Sequence, residues 1–150
     1  MKKGLFFFLL AVNLFAQDVA VTNESVINLE VSNKSVQEVV DCLKEVASKY
    51  KFGIQHIHNV KENLKSKGID LENECQIVDI CNPIIAEKFL SEDMSLSIIM
   101  PCKISVYTQD GDTMIAMNSL VQLVDDINPD LIELAQETQQ QLLQIIDEVK

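Results

Sequence analysis

The 150-residue sequence has no arginine and no tryptophan, and only four glycines and three prolines. Without Arg there is no planar, bidentate fork for phosphate or carboxylate, so phosphorylated substrates are poor candidates. Twelve lysines stand against 23 acidic residues, giving a formal charge of −11. That balance repels nucleic acid and anionic lipid head groups, and a nucleic-acid partner is not expected. Motifs are missing too: there is no GxSxG elbow, no Walker loop, no GxGxxG and no HExxH. Asp125, Asp126 and Asp130 lack the spacing and the closing bidentate Glu of an EF-hand. With 23 acids, chance carboxylate pairs are expected, so no general acid and base can be singled out. What remains is a chain with 47% hydrophobic residues, enough for one domain that hides roughly two thirds of its unfolded surface. Disorder of the whole chain is excluded.

The N-terminus carries Lys2 and Lys3, an apolar run from Leu5 to Val12, and Leu14, Phe15 and Ala16 before Gln17. The pattern is that of a secretory signal peptide, with cleavage expected between Ala16 and Gln17. The run is shorter than the ~20 residues of a spanning helix, and no Cys at the cut site would take a lipid. A periplasmic or secreted product is expected, without a membrane partner after cleavage. A retained N-terminal anchor is the other reading. Loss of Lys2 and Lys3 makes the mature chain more acidic still.

From Ser25 onward, Val26, Ile27, Leu29 and Val31 predict a half-buried strand, with Asn28 and Glu30 on its other side. Ser35 and Glu38 form a capping box, and Val36, Val39, Val40, Leu43, Val46, Ala47 and Tyr50 recur at helical spacing. After Gly53, alternation puts Phe52, Ile54, His56 and His58 on one face of a short strand and Ile57 on the other. Asn59 and Glu62 repeat the cap signature for a short helix closed by Gly68. Cys75 to Ile80 reads as a third strand, and Asn82-Pro83 as a cap and first turn of a helix through Leu90. Leu96 to Tyr107 reads as a strand broken at Met100-Pro101, and Asp110-Gly111 as a hairpin turn before Thr113 to Met117. Leu120 to Val124 fits a strand extension or a helical turn. Asn128-Pro129 opens a last helix with an apolar stripe from Leu131 to Val149 and a wet face at Gln139, Gln140, Gln141 and Gln144. The order predicts an α+β domain over residues 25–150, a mostly antiparallel sheet with helices on one face.

Gly68-Ile69, Ile80-Cys81-Asn82-Pro83 with Ala86 and Leu90, Met100 to Tyr107, and Asp110-Gly111 stand in an order that resembles the domain-of-unknown-function family 302. The likeness runs from Ser25 to Val149 and is densest between Phe52 and Met117. It implies a shape like a single repeat of the TATA-binding protein and a homodimer, and it adds no mechanism. Many relatives carry Gly where Cys81 stands and a residue other than cysteine where Cys102 stands, so this chain looks like a cysteine-bearing, secreted branch.

Cys42, Cys75, Cys81 and Cys102 are an even number in an oxidising compartment and allow three pairings. Cys81 and Cys102 sit at breaks in regular structure, where strands of one sheet bring residues within the ~4.4–6.8 Å Cα separation of a disulfide. That pair is the expected bridge, worth roughly 3 kcal/mol for a loop of about 22 residues. Two buried thiols, a redox pair, or a metal or haem thiolate are the alternatives. Cys81 precedes a helix start, where partial positive charge favours a thiolate. Cys42 and Cys75 read first as packing residues, with a second bridge between them as the other reading. His56 and His58, about 7 Å apart on one strand face, could reach one metal with Cys81, Cys102, Asp79 or a methionine as third ligand. Met94, Met100, Met114 and Met117 read first as packing and second as soft copper ligands.

The sequence therefore predicts an exported, noncatalytic module that binds a small molecule or a protein partner, with Cys81, Asn82, Pro83 and Cys102 as the ligand-binding segment. The alternative is a thiol-redox or metal/haem protein built on Cys81 and Cys102, with His56 and His58 as helpers, in periplasmic redox or sulfur chemistry. No cofactor is expected under the first reading.

Overall fold

The computed structural model describes residues 25–31 and 33–150. The expected signal segment lies outside these residues. Strand β1 (Val26–Val31) follows the alternation of its apolar side chains. The Ser35 hydroxyl then accepts from the Glu38 amide while the Glu38 carboxylate takes the Ser35 amide, and this reciprocal box starts helix α1 (Val36–Lys49). Strand β2 (Gly53–Asn59) runs into helix α2 (Val60–Lys65), capped by the Asn59 side chain. Strand β3 (Cys75–Cys81) passes through Asn82 into helix α3 (Pro83–Glu92). A 3₁₀ segment, Met94–Ile99, leads to strand β4 (Cys102–Gln109), and Asp110-Gly111 turns the chain into strand β5 (Asp112–Asn118). Both turn residues have positive φ, 53° and 93°, as a two-residue primed hairpin requires. Helix α4 (Leu120–Asp125), a short 3₁₀ turn (Pro129–Leu131) and helix α5 (Ile132–Val149) complete the chain. Among the described residues no helix is long and apolar enough to cross a membrane.

The five strands form one antiparallel sheet in the order β1-β5-β4-β3-β2. One face carries Val31, Val78, Ile80, Ile104, Val106, Ile115 and Met117, fully buried under α1 and α5. Val39, Val40 and Leu43 of α1 and Leu142, Ile145 and Ile146 of α5 have no exposed surface, so the two amphipathic stripes meet the same sheet face. Burying one large aliphatic side chain is worth roughly 1.5–3 kcal/mol, and this cluster is where the fold draws most of its stability. A smaller cluster of Phe89, Leu96, Leu120, Val124 and Ala135 closes the sheet end where β3 stops and β4 starts. The opposite sheet face carries Asn28, Ile77, Asp79, Lys103, Ser105 and Tyr107 by register.

Three expectations need correction. The segment Leu96–Ile99 is not strand but part of a 3₁₀ helix, because the Asp93 carboxylate caps the Ser95 amide and starts a turn. A bulge between Ile54 and His56 shifts the alternation of β2. Ile54 and Ile57 therefore both pack on the core, and His56 and His58 point to the other face. Finally, Gln139 is not simply part of a wet helix face. Its side-chain oxygen accepts from the Val121 amide at 3.1 Å and the Ser119 hydroxyl at 3.3 Å, tying α5 to the start of α4.

Candidate functional site

Two hollows flank Pro101, which walls both. The first is a half-enclosed cleft of about 230 Å³, formed where the 3₁₀ segment, the start of β4, the end of β5 and α4 converge. Ile98, Met100, Cys102, Met117, Leu120 and Leu123 give it an apolar wall, and Lys103 and Asn118 supply its polar atoms. The second, wider and more open, is lined by Ser48, Lys51, Phe52, Gly53, Gln55, Cys81 and Pro83. The Met100-Pro101 peptide bond is cis. Ile84, Met94 and Ile98 remain exposed on α3 and the 3₁₀ segment around this end of the molecule.

The ligand-binding segment expected from the sequence is thus divided. Cys102 lines the cleft, and Cys81 and Pro83 line the open hollow. Asn82 is only 8% exposed, and its side-chain oxygen accepts from the amides of Ile84 at 3.1 Å and Ile85 at 3.4 Å. It caps α3, so its acceptor is already taken.

All four cysteines are free thiols, and the expected Cys81–Cys102 bridge is not formed. The register gives the reason. Cys102 pairs with Ile80 on the helix-covered face, and Cys81, one residue later on β3, pairs with Gly53. Successive side chains point to opposite faces, so these neighbours diverge. The thiolate expected at Cys81 also needs correction. The first free amides of α3 are spent on Asn82, and burial pushes the Cys81 thiol up, not down. Burial, followed by the nearby charge of Cys81, pushes Cys102 up to about 11. Both thiols are therefore protonated near neutrality. Burial also raises Cys75, partly offset by a hydrogen bond with Ser105, and Cys42 packs at the edge of the main core.

On the open sheet face, Asp79 is held between two partners. Its carboxylate accepts from the Lys103 ammonium at 2.7 Å, and its other oxygen lies 2.9 Å from His58 Nε2. Burial alone would raise the Asp79 carboxyl, but these two hydrogen bonds outweigh it and hold the group below its ordinary value. His56 stacks edge-on against His58, with ring centroids 4.4 Å apart. The two histidines do stand together as expected, with Asp79 beside them. Cys81 and Cys102 lie farther along toward the strand end. Among the described residues, no group of three His, Cys, Asp or Glu side chains converges as a metal site. The sequence reading placed Asp79 only as a spare ligand. Its pairing with Lys103 depends on the β3–β4 register, which leaves no local signal.

An antiparallel five-stranded sheet backed by two helices, with a second apolar cluster and a cleft at one end, defines an α+β domain. The chain belongs to the family described as domain of unknown function DUF302, whose model matches residues 27–149. It is similar to the crystal structure of an uncharacterized conserved DUF302 protein from Bacillus stearothermophilus, with 30% identity over 84% of this chain and 98% of that one and a TM-score of 0.80. No curated protein matches. The segments that carried the resemblance, Ile80–Pro83 and Met100–Tyr107, supply the residues around Pro101 where the two hollows meet.

Proposed function

We propose that the protein is an exported, noncatalytic binding module whose ligand seat is the cleft beneath Met100, Cys102 and Leu123. The observation that carries this reading is the cleft itself: a concave space with apolar side chains on one wall and polar residues beside them is the usual form of a ligand site. At about 230 Å³ it lies below the roughly 300–1,000 Å³ of drug-sized sites, which favours a small ligand with an apolar body. The nearby ionisable groups support binding over chemistry. Cys102 is pushed up to about 11, and Asp79 is neutralised by Lys103. Neither is poised to attack or to move a proton near neutrality.

Export rests on Lys2, Lys3, the apolar run after them and Ala16. A mature mass beginning at Gln17 in a periplasmic extract supports it; an uncut chain in the membrane fraction contradicts it.

The ligand seat is tested by saturation-transfer NMR with a panel of short-chain alcohols and carboxylates. Leu123 is half-buried at the cleft, so Leu123→Trp should fill the space with the fold intact. Panel members should bind the parent protein and lose contact in the variant. Equal transfer to both proteins, or none to either, sinks the cleft as the seat.

A further inference from the structure

Given that the cleft is a ligand seat, its walls also suit a second kind of ligand beside a small apolar molecule. Three of its lining residues carry sulfur: Met100 in the segment entering β4, Cys102 at the first position of β4, and Met117 on β5. Met117 pairs with Ile104, two residues beyond Cys102, so Met117 and Cys102 share one sheet face as near neighbours. Met100 reaches the same space from the far side of Pro101. The sequence has five methionines and four cysteines in all, and this cleft gathers two of the methionines and one of the cysteines.

No carboxylate and no imidazole lines the cleft; Lys103 and Asn118 are its polar lining residues, and the Lys103 ammonium is held by Asp79 on the open sheet face. Oxygen-seeking ions such as magnesium or calcium find no carboxylate there. Thiolate and thioether donors instead select soft ions, copper(I) first among the biological ones. Charge balance in an apolar cleft gives the same answer. The Lys103 ammonium at the cleft is already balanced by Asp79, so one thiolate neutralises one monovalent cation, whereas a divalent ion would leave a buried net charge.

We propose that the cleft binds a single copper(I)-class cation through Cys102, Met100 and Met117. On binding, the S–H bond of Cys102 breaks, a metal–sulfur bond forms and one proton leaves to solvent. No electron is transferred. Met100 and Met117 donate sulfur lone pairs without changing protonation.

The test is competition for copper(I) against its bicinchoninate complex, with reduced protein under anaerobic conditions. The parent protein should withdraw one equivalent. Cys102→Ala should weaken binding by roughly a hundredfold, and Met100→Leu with Met117→Leu by at least roughly tenfold. The leucine pair conserves volume, so it keeps the question answerable if Cys102→Ala fails to fold. Cys42→Ala and Cys75→Ala should bind as the parent does. Failure of the parent to compete, or equal affinity in the leucine pair, overturns the proposal. If the organic panel still reaches the cleft while copper(I) does not bind, the metal inference falls and the ligand seat stands. If neither binds, both fall.

Discussion

Asp79 and Lys103 face each other directly across β3 and β4, with the ammonium 2.7 Å from the carboxylate. Asp79 is 8% exposed, so the contact joins a half-exposed cation to a nearly buried anion that also meets His58. Removing the anion with Asp79→Ala leaves Lys103 unpaired and should cost about 1–2 kcal/mol in urea unfolding. Lys103→Ala should cost at least as much, because it strands the buried carboxylate.

Acid dependence follows from the same carboxylate. Hydrogen bonds from Lys103 and His58 hold Asp79 below its ordinary 3.8 in the folded state, against the opposing effect of burial. A lowered folded value gives stability that is complete above the unfolded value and is lost as pH falls through the folded one. Unfolding free energy should therefore drop between about pH 4 and the lower folded value. In Asp79→Asn that part of the drop should be missing. A parallel acid limb in both proteins contradicts the assignment.

Cys102 should be the slow thiol. At about 11, its thiolate fraction near pH 8 is on the order of one part in a thousand, and its strand neighbours restrict access. Iodoacetamide on the native protein, followed by peptide mass analysis, should label Cys102 last of the four cysteines. Early labelling at Cys102 contradicts the protonated, half-buried thiol.

The α3 start depends on Asn82, whose oxygen serves two amides. Asn82→Ala should destabilise the protein by about 1 kcal/mol, whereas Asn82→Asp should retain the cap. If Asn82→Ala leaves the urea midpoint unchanged, the cap does not support the helix.

Gln139 should behave unlike its neighbour Gln140. Gln139→Ala removes the acceptor for Val121 and Ser119 and should cost about 1 kcal/mol, while exposed Gln140→Ala should stay within about 0.5 kcal/mol of the parent. Equal losses would remove the tie between α5 and α4.

Local chemistry was readable from the sequence wherever a few adjacent residues decide the outcome. Ser35 with Glu38, Asn59, Asn82-Pro83 and Asp110-Gly111 each set a helix start or a turn, and each stands where the pattern placed it. The apolar stripes of α1 and α5 likewise identified the faces that meet the sheet. Features set by distant partners were not readable. The bulge in β2 forms against β3 and reverses the facing of His56 and His58 relative to Ile54. The β3–β4 register places Cys102 beside Ile80, so the two cysteines come near each other without facing each other. The 3₁₀ segment was hidden because Leu96, Ile98 and Ile99 look like strand residues until Asp93 is seen capping them. The cleft shares this cause, since its walls come from segments that only the folded sheet end brings together.

The most direct test of the cleft as ligand seat is an amide-resolved NMR map of the folded protein during titration with the short-chain panel. Shifts should concentrate at residues 98–103 and 117–123, with the open face around His56 and His58 unmoved. Shifts confined to that open face, or spread evenly over the surface, would contradict it.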